Sequence, residues 1–203
     1  MKIIGLTGSI GMGKTTTAAM FKDAGCPVFD ADRAVHSLYE KGGAAVPLIR
    51  AVFPDAIKDG SIDRAVLGQH MRADPLNLKV LESFIHPMVG KLRAEFIARA
   101  QKDKADIIVF DVPLLFETGG DKHVDIVVVV TAPKAVQRER VLKRAGMSED
   151  LFKSLLARQM PDAEKRKRAD ILIFTDKGLE SARKQVDNLI TDLRGRYPMQ
   201  ANG

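Results

Sequence analysis

Short apolar runs along this chain alternate with longer stretches whose apolar residues recur at helical spacing. The runs at 3–6, 27–29, 107–110, 124–130 and 171–174 predict five strands. The stretch 125–131, Asp-Ile-Val-Val-Val-Val-Thr, is β-branched almost throughout. A strand that is apolar on both faces must be covered on both faces, as in the middle of a parallel sheet. Helical patterns lie between the runs, so the expected architecture is α/β, a parallel sheet under helices.

The helical stretches carry their own punctuation. Residues 15–22 are helix-competent directly after a glycine-rich segment, and Ala31 onward has a helical pattern. Residues 35–100 contain no clear strand signal and predict a wholly helical insertion against the C-terminal edge of the sheet, where open α/β sheets bind ligands. Gly42-Gly43, Phe53-Pro54 and Asp59-Gly60 interrupt its first half. Asp74-Pro75 predicts an N-cap followed by Pro at the first helical position, and His86-Pro87 a second helix running to about Lys102. Ala132-Pro133 opens a helix through Arg144, Ser148 caps the next, and Pro161 stops it. A last helix covers 179–193, and 200–203 read as a frayed tail. The expected division is a core (1–34, 101–135 and 169–203), a helical acceptor domain (35–100) and an Arg/Lys-dense segment (136–168) that reads as a lid closing over phosphates, with a solvated amphipathic helix pair as the competing reading.

Composition narrows the partners. The chain has 203 residues and a net charge of +6, which suits nucleic acid or a small polyanion. Aromatic residues are 5% of the total and Trp is absent, so stacking platforms for single strands are scarce and a phosphate-bearing small molecule is favoured. The basic residues are dispersed except at Lys165-Arg166-Lys167-Arg168. Cys26 is the single cysteine, which excludes an internal disulfide or a Cys-rich metal site, and it reads as a small buried residue. The apolar segment before the glycines is too short for a signal peptide, and no window has the length of a membrane span. A cytoplasmic protein with no membrane, nucleic-acid or obligatory protein partner is expected.

The chemistry is concentrated at 8–15, Gly-Ser-Ile-Gly-Met-Gly-Lys-Thr, a full G-x-x-x-x-G-K-[ST] motif between a strand and a helix. Glycines allow successive N–H groups to turn inward, and the helix N-terminus adds its unpaired amides and dipole. Gly8, Ser9, Ile10, Gly11, Met12, Gly13, Lys14 and Thr15, with Thr16 beside them, form the candidate ATP-binding set. Lys14 would reach the β- and γ-phosphates, and Thr15 would offer its hydroxyl to Mg²⁺. Asp111, ending the third strand, is a second candidate for Mg²⁺. In Asp30-Ala31-Asp32, alternate residues of an extended segment point the same way, so both carboxylates can face one site, one of them to orient or deprotonate an acceptor hydroxyl or to hold a water of Mg²⁺; the competing reading makes Asp32 a helix cap. Residues 112–117, Val-Pro-Leu-Leu-Phe-Glu, are either core or the wall of an apolar substrate site, with core the expectation for Leu114 and Leu115 individually. Thr175-Asp176-Lys177 does not supply a guanine-reading motif, which leaves a small kinase as the best class. A kinase acting on a nucleoside monophosphate or a polyol remains open, as does a regulator that uses 165–168 to bind RNA or DNA.

The combination of 6–15, Asp30-Ala31-Asp32, His86-Pro87, 113–117, Arg140, Arg144, Arg158-Gln159-Met160 and 165–170 resembles the dephospho-CoA kinase family over residues 1 to about 195. The resemblance implies a P-loop NTPase fold of the small-kinase type, with a five-stranded parallel core, a helical insertion and a lid. It also implies transfer of the ATP γ-phosphoryl group to the ribose 3′-hydroxyl of dephospho-CoA. Lys14, Asp32 and Arg140 then become the catalytic candidates, Asp32 as general base and Arg140, with Arg144, on the ATP phosphates. Asp32, His86, Pro87, Pro113, Leu114, Leu115, Phe116 and Glu117 would border the acceptor. One departure stands out: the family often has an Asn shortly after the last strand, where this chain has Thr175, so adenine contacts there would fall to Thr175 or to backbone groups.

Overall fold

Five strands form one sheet whose three central members are largely buried, because their β-branched and apolar runs have apolar partners on both faces, while the two edge strands are only partly covered. The computed structural model describes residues 1–196; the expected frayed tail at 200–203 lies outside the described residues. In chain order the elements are β1 (Lys2–Thr7), α1 (Lys14–Asp23), β2 (Val28–Asp30), α2 (Ala31–Tyr39), α3 (Val46–Val52), β3 (Ile57–Lys58), β4 (Ser61–Ile62), α4 (Arg64–Ala73) and α5 (Pro75–Lys102). They continue with β5 (Ile107–Asp111), β6 (Ile126–Thr131), α6 (Lys134–Leu142), α7 (Glu149–Ala157), α8 (Asp162–Arg168), β7 (Ile171–Phe174) and α9 (Leu179–Arg196). The main sheet has the order β2-β5-β1-β6-β7, and β1 pairs in parallel with both β5 and β6.

The chain divides into two compact units, Asp30–Arg99 and the remainder. In the larger unit, β1, β5, β6 and β7 contribute Ile4, Leu6, Val109, Val128, Val130 and Ile173 to a core closed by Phe21 of α1 and by Val186 and Leu189 of α9. Cys26 is buried in this core as expected, and burial pushes its thiol pKa up. Leu115, Phe116, Val127 and Val129 form a second cluster. In the smaller unit, Leu38, Ile49, Phe53, Leu67 and Ile85 build a separate core.

Three expectations are corrected. Residues 35–100 are not wholly helical: Asp59 (φ 51°) and Gly60 (φ 81°) make the two-residue turn of a β3–β4 hairpin, a geometry Asp-Gly favours because both residues must take positive φ. His86-Pro87 does not open a new helix, because α5 runs unbroken through Pro87. Apolar residues on either side of it, Leu81, Phe84, Ile85, Met88 and Leu92, pack on the smaller unit's core, and this packing overrides the proline's local cost. Pro161 does not end the helix that Ser148 caps; that helix stops at Ala157, and Pro161 is the N-cap of the unexpected α8. No helix among the described residues is long and apolar enough to cross a membrane.

Candidate active site

The glycine-rich loop is held on every side by neighbouring elements. Gly8 lies against the end of β6, where a Cβ would stand 2.7 Å from the Val130 carbonyl oxygen. Gly11, at φ +78°, leaves no room for a Cβ beside Val141 of α6. Ile10 is bonded at both backbone groups: Gln137 Nε2 donates to its carbonyl at 2.7 Å, and its N–H donates to Gln159 Oε1 at 3.0 Å. The Met12 carbonyl accepts from Thr175 Oγ1 at 2.8 Å, and the Met12 sulfur accepts from Ala132 N–H. These contacts fix the loop before any ligand arrives.

Helix α1 begins immediately behind the loop. Its N-cap is Gly13, in the left-handed region at φ 95°, with no side-chain cap and no acidic residue in the first turn. The leading amides and the positive end of the dipole are therefore presented to an anion. Thr15 and Thr16 are exposed there. The β1–β5 register sets Asp111 beside Leu6, at the C-terminal end of the sheet, and Lys14 Nζ lies 2.5 Å from Asp111 Oδ1. Lys14 and Asp111 side chains are 15% and 6% exposed, so the pair is largely withdrawn from solvent.

A sequence model of one family, described as CoaE, dephospho-CoA kinase, matches residues 2–181. The chain belongs to the dephospho-CoA kinase family. It is 54% identical over 196 residues to a curated dephospho-CoA kinase of Mesorhizobium japonicum, covering 97% of this chain and 98% of the relative. Among solved structures it is similar to TT1252 from Thermus thermophilus, with TM-score 0.83, 33% identity, and coverage of 95% and 97% of the two chains. It has the same fold as a dephospho-CoA kinase from Campylobacter jejuni, with TM-score 0.73, 24% identity, and coverage of 96% and 98%.

Within this family the other expected residues take definite positions. Arg140 and Arg144 line a cleft of about 240 Å³ with Gly11, Gly13, Thr16 and Thr175. Arg140 donates to Thr175 Oγ1 at 2.8 Å and to the Thr175 carbonyl at 2.7 Å. The Thr175 hydroxyl thus serves both the loop and Arg140. In 113–117, Leu115 and Phe116 are core, 2% and 7% exposed. Leu114 reverses the core expectation at 39% exposed. The Glu117 carboxylate accepts from Met160 N–H and pairs with Lys165. Burial of Glu117 acts to raise its pKa, but the bonds from Met160 and Lys165 outweigh it and hold the carboxyl below the usual range.

In the smaller unit, Asp30 and Asp32 do not share an extended alternation. Asp30 ends β2 and caps α2, accepting from Arg33 N–H at 2.9 Å, whereas Asp32 already lies in the first helical turn. The cap reading of Asp32 therefore passes to Asp30. Asp32 is exposed and lines an open cleft of about 620 Å³ with Arg33, His36, Tyr39 and Arg64. His86 and Pro87 are exposed on α5 and are not part of that cleft's lining. Sequence reading missed Gln137, and it placed Gln159 in the family resemblance without giving it a loop contact. It also missed Lys165, which is fully buried although it stands in a basic run that reads as surface.

Proposed function

We propose that this chain transfers the γ-phosphoryl group of ATP to the ribose 3′-hydroxyl of dephospho-CoA, giving ADP and coenzyme A. The observation that carries this reading is the preformed loop at 8–15 ahead of an uncapped helix N-terminus, with Lys14 held at the sheet edge by Asp111, in a chain of this family. Phosphoryl transfer asks mainly for positioning and charge stabilisation. Lys14 exchanges Asp111 for phosphate oxygens, and the α1 amides receive the same group. Arg140 exchanges Thr175 for phosphate oxygens, a role suited to its planar fork, with Arg144 beside it. The segment 136–168 closes over the nucleotide and excludes water. Asp32 aligns the acceptor hydroxyl and takes its proton.

The donor chemistry fits Mg²⁺. Thr15 offers a hydroxyl and Asp111 a carboxylate, both hard oxygen donors, and no cluster of three or more His, Cys, Asp or Glu capable of holding a metal occurs among the described residues. That is the pattern of an ion held by one or two side chains together with substrate phosphates. When bound, Mg²⁺ neutralises charge on the β- and γ-oxygens. The reaction needs no protein partner, membrane or nucleic acid, and it is assigned to the cytoplasm.

The test is ADP release from ATP and Mg²⁺ with dephospho-CoA, alongside AMP, CMP and gluconate as acceptors. The expected result is release that depends on dephospho-CoA, with coenzyme A identified by mass. Release with another acceptor alone overturns the substrate assignment, and ATP binding without release overturns the kinase reading.

A further inference from the structure

Lys165 has no exposed surface, yet it is the hub of a hydrogen-bonded ring that begins and ends on the glycine-rich loop. Its ammonium donates to the Pro113 carbonyl at 3.0 Å and lies 2.9 Å from Glu117 Oε1. The Pro113 carbonyl also accepts from Thr7 Oγ1 at 3.0 Å, and Thr7 immediately precedes Gly8. On the other arm, Glu117 Oε1 accepts from Met160 N–H at 2.7 Å, and the preceding residue, Gln159, accepts from Ile10 N–H at 3.0 Å. The ring thus returns to the loop two residues beyond Gly8. One charge pair, buried at its lysine end, links the start of the phosphate loop, its leading limb, the strand-end segment that follows Asp111, and the turn between α7 and α8.

A buried ion pair is weak evidence for stability, since well-packed apolar replacements are often neutral or better. What a fully bonded pair supplies is a fixed geometry for the groups around it. The groups here are the two that face phosphate, the loop and the Asp111 edge. We propose that Lys165, acting through Glu117 and Gln159, is a positioning residue for phosphoryl transfer. It touches no reacting atom. It holds the Ile10 limb and the Pro113 carbonyl in register, so that Lys14 and Asp111 meet the nucleotide at their proper separation.

This inference rests on the kinase reading above. The test measures coenzyme A formation and thermal melting for the parent, Gln159→Ala, Lys165→Met and the double variant. Gln159→Ala removes one acceptor from a partly exposed side chain and leaves the core untouched. It should lower kcat about tenfold at saturating ATP while changing the KM for ATP by no more than about twofold, as a small misplacement of a reacting group does. Lys165→Met should lower kcat at least as far, and the double variant should be no slower than Lys165→Met alone, because both act through one ring. A Gln159→Ala enzyme with parental kcat overturns the proposal, as do multiplying losses in the double variant or a lowered melting temperature without a fall in kcat. If Lys165→Met does not fold, Gln159→Ala alone decides. A parent that forms no coenzyme A overturns the kinase reading instead, whereas an active parent with an unaffected Gln159→Ala variant overturns only this inference.

Discussion

Lys14 and Asp111 pair at 2.5 Å where the sheet ends, so any ligand that engages either one competes with an internal partner. Truncating Lys14 removes a preorganised charge at the developing transition state, and Lys14→Ala should lower kcat by about 10² or more in a steady-state assay. Asp32 is exposed in the first turn of α2. Asp32→Asn should leave ATP binding by calorimetry unchanged while slowing turnover by about 10²–10⁴, the range for a general base; parental turnover would remove Asp32 from that role. Glu117 gives a pH prediction. Its folded pKa is depressed, so the folded state binds fewer protons than the unfolded chain. Its contribution is complete above the unfolded glutamate pKa of about 4.3 and is lost as pH falls through the lower folded value. The melting-temperature gap between the parent and Glu117→Gln should therefore be widest at neutral pH and close on strong acidification. A gap that persists would assign the effect to shape rather than charge.

At the scale of elements, α5 carries a proline that its sequence context declares a boundary and its packing overrules. Pro87 cannot donate to the carbonyl four residues earlier and crowds it. Pro87→Ala should stabilise the protein by about 1–3 kcal/mol in urea unfolding, without altering the described fold; a destabilised variant would show that the helix needs the distortion. The five strands, α1 and the Ser148 cap were legible because each has a local physical signature: β-branched runs, a glycine loop before a helix, a hydroxyl at an N-cap. The β3–β4 hairpin was not, because strands of two residues are too short for alternation to register. The loop 8–15 and the place of Asp111 at the end of its strand were legible as local structure, whereas the cap that the competing reading gave to Asp32 is made by Asp30, one turn boundary earlier. Lys165 was hidden for a different reason. Arg166, Lys167 and Arg168 are exposed, and only the turn of α8 separates the buried member from the rest. That burial breaks the continuous basic surface on which a nucleic-acid role for 165–168 had rested.

For the whole molecule, the net charge of +6 is distributed over two units with separate cores, and the phosphate loop belongs to the larger one. A ligand that binds only the folded state raises its stability by mass action, about 2.7 kcal/mol at a concentration one hundred times Kd. A non-hydrolysable ATP analogue with Mg²⁺ should therefore raise the melting temperature of the parent and fail to do so for Lys14→Ala at the same concentration. An equal rise in both would place nucleotide binding away from Lys14.

The parallel pairing of β1 also dictates an order of events during synthesis. Lys2 is partnered by Ile107 and Ile4 by Ile126, so β1 leaves the ribosome about a hundred residues before its first sheet neighbour. At ordinary elongation rates that delay is on the order of ten seconds. Throughout it, the apolar residues Ile3, Ile4 and Leu6 stand unpaired, while Asp30–Arg99 acquires the residues of its own core. The phosphate loop directly follows β1 and waits through the same interval for the strands that flank it.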